Sequence, residues 1–137
     1  MYAWFTVADV GGGTDAYFEQ VDELTLDVWS DYFKQPRLAR NADDVRRCLS
    51  IGHYWTFRRS AGQPATISLL YGLLAGCLAQ LVDGFVFSDD TAWAWELMPI
   101  RGDEFLGRYF AADGTPEKEI NDWATDCCSR IPAELAG

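Results

Sequence analysis

Asp83, Asp89, Asp90, Trp93, Trp95, Glu96, Asp103 and Glu104 crowd carboxylates and indoles into one short stretch of the chain. Carboxylates alone can hold a cation or share acid–base work. Indoles beside carboxylates suit a different chemistry: flat apolar anchors that stack on cations, ringed by counter-charges for arginine and lysine. If residues 92–97 form a strand, Trp93 and Trp95 share one face. That face is either core, with the acids decorating the loops, or an open surface for a basic partner. The aspartates do not follow the D-x-[DN]-x-[DN]-G order of a calcium loop, and turn aspartates commonly bond their own backbone. No metal site is therefore expected here.

Two other places have residue types that can do chemistry. Gly11-Gly-Gly13-Thr-Asp-Ala16 fits G-x-G-x-x-A, with the acidic Asp31 downstream, and a loop of that kind can set a pyrophosphate on a helix N-terminus. Asp9 and Asp15 flank it with the wrong charge and no lysine follows. A connector is the better reading, and no cofactor is expected. Cys48 and His53, the single histidine, lie close enough in sequence to suggest a thiol–imidazole nucleophile, but a helix-to-strand break falls between them. G-x-S-x-G, H-E-x-x-H and the P-loop lysine pattern are absent, so catalysis has no recognisable motif.

Charge narrows the partners. Eleven Lys and Arg against 21 Asp and Glu leave a formal net charge of −10. Such a field repels phosphate backbones and anionic membranes and draws basic proteins in. Neither nucleic acid nor a membrane is expected as a partner. Cys48, Cys77, Cys127 and Cys128 form no C-x-x-C pair, and no secretory leader is legible, so reduced thiols in a cytoplasm are expected. Ala61–Val82 has no charged residue, yet Gln63, Thr66, Ser68 and Gln80 dilute it, so a buried helix is preferred to a membrane span.

The elements that must position these residues follow from period and punctuation. Tyr2–Val7 reads as a strand ending at the glycine loop. Thr14 or Asp15 is expected to cap a helix through Phe18, Val21, Leu24, Val28 and Phe33, up to Pro36. Asn41 is expected to cap a short helix with Val45, Cys48 and Leu49. His53–Ser60 reads as a strand, and Pro64 opens a helix to about Val82 whose Ser68, Gly72 and Gly76 stripe invites close approach. Phe85–Ser88 and Ala92–Leu97 are expected to pair as a hairpin about Asp89-Asp90. Helices then start at Asp103, with Phe105, Leu106, Tyr109 and Phe110, and at Pro116, with Ile120, Trp123 and Cys127. The expected fold is one α+β domain over residues 1–137, a small sheet of about four strands in the order β-α-α-β-α-β-β-α-α.

Tyr54-Trp-Thr-Phe-Arg-Arg, the apolar helix ending at Leu81, and Asp83-Gly-Phe-Val-Phe-Ser-Asp-Asp-Thr-Ala-Trp together resemble the small bacterial immunity proteins encoded beside secreted antibacterial toxins, type VI secretion effectors among them. The resemblance spans roughly residues 53–110. It implies a cytoplasmic, non-catalytic protein that binds one cognate toxin and occludes its active site.

Overall fold

In a computed structural model, residues 1–89 and 93–137 are described. Strand β1 (Tyr2–Phe5) turns through the glycine loop into β2 (Thr14–Gln20), and β2 pairs on its other side with β3 (His53–Arg58). Both pairings are antiparallel. Thr14–Gln20 is thus a strand, not the start of the expected helix. The physical reason is its period of two. Thr14 and Ala16 are fully buried, while Asp15, Tyr17 and Glu19 alternate with them on the opposite face.

Helix α1 (Glu23–Tyr32) starts later, where Asp22 Oδ1 accepts the Thr25 N–H at 2.8 Å and the Thr25 hydroxyl at 2.7 Å. Asp22, and neither Thr14 nor Asp15, is the cap. Two short helices follow, α2 (Pro36–Ala39) and α3 (Ala42–Leu49). Asn41 precedes α3 as expected, but its side chain makes no capping bond; its Nδ2 donates to the Pro99 carbonyl at 3.0 Å instead.

Helix α4 (Ala65–Leu81) is the central element, and its small-residue stripe is packed tightly. The Tyr109 ring lies where a Cβ on Gly72 would be, and Phe105 and Leu106 crowd Gly76 in the same way. Gly102 returns the compliment, resting on the backbone of Ala79 and Gln80. These glycines let α5 (Gly102–Arg108) lie against α4 at close range. The Tyr109 hydroxyl donates to the Ser68 carbonyl at 2.6 Å, and burial pushes that phenol well above its ordinary range.

The expected hairpin of 85–88 with 92–97 does not form. Phe85–Val86 (β4) pairs antiparallel with Ile100–Arg101 (β5), and Trp95–Leu97 is a single 3-10 turn. Ala94, at φ 20°, breaks the extended run. Helix α6 (Lys118–Leu135) closes the fold. Trp93, Ala94, Met98, Ile100, Phe105 and Tyr109 form the main core, with Trp123 and Phe110 packed against it. The α+β class holds, but among the described residues five strands divide into a three-stranded and a two-stranded sheet.

Candidate functional site

The acidic-aromatic segment is dispersed by the fold. Trp93 is only 5% exposed, and its indole meets the edges of Phe105 at 5.0 Å and Tyr109 at 6.1 Å. It is a core residue, unavailable to a partner in this conformation. Trp95 does not share its face. It lies in the 3-10 turn, 5.6 Å from the Phe87 ring and under the Arg37 guanidinium, 4.2 Å from its ring centre.

Two of the carboxylates enter ion pairs with described residues. Asp83 pairs with Arg101 and, at 3.9 Å, with Arg47; Glu104 pairs with Arg108 at 3.2 Å. Asp89, Glu96 and Asp103 are exposed. Asp90 lies outside the described residues. The backbone of this region is held by two arginines distant in sequence. Arg37 donates to the carbonyls of Trp95 and, at 2.9 Å, Met98, while Arg40 donates to those of Glu96 and Leu97 at 3.2 Å each. These four bonds fix the path of the backbone through Trp95–Met98.

The glycine loop connects two antiparallel strands rather than a strand and a helix, so the phosphate-binding geometry it formally matches is missing. The Gly13 N–H donates to the Gln63 side chain at 2.9 Å, and the Trp4 indole occupies the space a Cβ on Gly13 would need. Cys48 and His53 face different neighbours. The thiol points at the Asp83 carbonyl, 3.9 Å away, and the imidazole stacks on Phe18 at 4.8 Å. All four cysteines are unbridged, and among the described residues no cluster of three or more His, Cys, Asp or Glu side chains is placed to hold a metal. Among those residues no helix is long and apolar enough to cross a membrane.

The exposed aromatic surface lies elsewhere. Register and burial together divide the three-stranded sheet into two faces. Ala3, Thr14, Ala16, Phe18, Trp55 and Phe57 line the face turned to the interior. The opposite face has Tyr2, Trp4, Tyr17 and Tyr54 interleaved with Asp15, Glu19, Thr56 and Arg58. Tyr2 is 57% exposed and Trp4 49%, large values for aromatic side chains on a strand. Sequence reading missed this face because Thr14–Gln20 was assigned to a helix. The alternation of small or apolar residues with Asp15, Tyr17 and Glu19 was the signal that could have found it.

The two carboxylates of this face are positioned by hydroxyl groups. The Tyr2 hydroxyl donates to Asp15 Oδ1 at 2.7 Å, a bond that raises the phenol above its ordinary pKa, and the Thr56 hydroxyl donates to Glu19 Oε2 at 2.5 Å. Arg58 stands opposite Asp15 in the register, but its guanidinium lies 5.6 Å from the Tyr17 ring centre instead. Neither Asp15 nor Glu19 enters an ion pair with a described residue. Oriented anions outside any ion pair, beside half-exposed rings, form a surface suited to arginine and lysine. Comparison with protein-family models, curated proteins and solved structures finds no match to this chain.

Proposed function

We propose that the protein is an acidic, non-catalytic binding protein, specifically a cytoplasmic immunity protein that engages a cognate antibacterial toxin of basic surface and blocks its active site. The observation that carries this reading is the outer sheet face: Asp15 and Glu19 enter no ion pair with a described residue and sit among Tyr2, Trp4, Tyr17 and Tyr54. A net charge of −10 supports it by steering a basic partner inward over distances longer than any contact. The mechanism is occlusion. Carboxylates pair with the arginines and lysines with which a toxin holds an anionic substrate, while aromatic rings exclude water from the contact.

The test is co-expression with the product of the neighbouring gene. A stable complex on pull-down, together with survival of cells that otherwise die from that product, is the expected result. Absence of both complex and protection would overturn the immunity reading.

A further inference from the structure

The bonding pattern of the three-stranded sheet determines which backbone groups of β1 are left over. The Phe18 N–H donates to the Met1 carbonyl at 2.9 Å, and the Met1 amine donates back to the Phe18 carbonyl at 3.4 Å. Met1 and Phe18 are therefore a mutually bonded pair, and in an antiparallel ladder such pairs recur at every second residue. Ala3 stands opposite Ala16 and Phe5 opposite Thr14, so residues 1, 3 and 5 direct their N–H and C=O groups into β2. Those of Tyr2 and Trp4 point the opposite way, off the edge of the sheet. Among the described elements none pairs with that edge.

Native sheets usually blunt such an edge with a lysine, a proline or a bulge. Strand β1 is Tyr-Ala-Trp-Phe and has none of these. The side chains of Tyr2 and Trp4 also lie on the outer face, Tyr2 across from Tyr17 and Trp4 across from Asp15. A strand added beside β1 would run about 4.8 Å from it, hence about 9.6 Å from β2. A partner residue opposite Trp4 then has the indole between itself and Asp15. An arginine or lysine there is long enough to cross the indole face and present its charge to the carboxylate.

We propose that β1 accepts an extended cationic segment of a basic protein as a fourth strand of this sheet. Tyr2 and Trp4 supply the main-chain bonds, Trp4 the stacking surface and Asp15 the counter-charge. The proposal rests on the reading of this chain as the binder of a basic partner. Charge selects that occupant over a second copy. A second copy brings its own −10, and its Met1–Ala8 stretch contains no cationic side chain to offer Asp15.

The probe is a blocked peptide of alternating arginine and valine, titrated into the 15N-labelled full chain, with an alternating glutamate–valine peptide as control. Amide shifts at Tyr2, Trp4 and Asp15 are expected with the first peptide and not with the second. Asp15→Asn keeps an acceptor for the Tyr2 hydroxyl, and it is expected to weaken the peptide roughly two- to fivefold at low salt. Trp4→Ala is expected to weaken it as well, and Asp15→Asn decides the matter if that variant folds poorly. Four results would each overturn the proposal: no shift at these amides at millimolar peptide, shifts centred on residues 83–104, unchanged affinity in Asp15→Asn, or edge shifts that grow with protein concentration alone and so reveal a second copy. Peptide capture without protection from a toxin leaves the edge site standing and removes the immunity reading. Protection that survives both substitutions does the reverse.

Discussion

Glu134, near the end of α6, caps the start of α4 through Thr66. Its Oε2 accepts both the Thr66 N–H and the Thr66 hydroxyl, each at 2.7 Å, and its Oε1 accepts the Ala65 N–H at 2.9 Å. Residues far apart in sequence thus do the work usually done by a local Ser or Asp. The first amide groups of a helix lack partners within the helix, and its partial positive end favours an anion.

Replacing Glu134 with Ala removes that cap and leaves those amides to water. The expected loss is about 1 kcal/mol of folding stability, the ordinary cost of losing a helix cap. Urea unfolding of the variant measures it, and Glu134→Gln, which retains acceptor oxygen, should lose less.

The same carboxylate makes stability depend on pH. The Thr66 N–H bond, aided by the Thr66 hydroxyl and the Ala65 N–H, holds Glu134 below its ordinary value of 4.5. A carboxylate depressed in the folded state contributes stability that is complete above the unfolded pKa and lost as pH falls through the folded one. The wild-type advantage over Glu134→Gln should therefore be full near neutrality and shrink below about pH 4.5. Comparing the two proteins removes the general effect of protonating the other acids. Urea midpoints at several pH values check the sign.

Gly72→Ala sets two effects against each other. Alanine is favoured over glycine in a helix by about 1 kcal/mol. The new methyl, however, meets the Tyr109 ring, which is fixed by its bond to Ser68 and by stacking on Phe105 at 4.8 Å. Overpacking of this kind costs about 1–3 kcal/mol, so net destabilisation is expected, with a lowered Tm in thermal unfolding.

Trp93 and Trp4 separate stability from binding. Trp93→Ala should cost about 3–5 kcal/mol, because it empties the core between Phe105 and Tyr109. Trp4→Ala should cost much less stability, since that ring is half exposed, yet it should weaken capture of a basic partner. Thermal unfolding and a pull-down, run on both variants, distinguish these outcomes.

The long apolar run after Pro64 was legible as the central helix, and Ser68, Gly72 and Gly76 as the side that accepts close packing. Glycine spacing reveals that something approaches; it does not say that the visitor is the Tyr109 ring. The Thr14–Gln20 strand was misread because Phe18, Val21, Leu24 and Val28 also satisfy a helical period, and only pairing with β1 and β3 breaks the tie. The hairpin expected around Asp89-Asp90 failed for a related reason: β4 finds its partner at Ile100–Arg101 instead.

By itself the sequence determined the α+β class, the acidity and the excess of aromatic residues, since these depend on composition and local period. Which aromatic rings stay exposed was decided only by the tertiary structure. Trp93 and Trp4 are the same residue type, each flanked by apolar neighbours, and no local pattern tells them apart. The packing of α5 against α4 encloses one, while the other, on the outer face of the edge strand β1, remains half exposed. Burial is a property of the partners a side chain finds, and those partners lie far away in the chain.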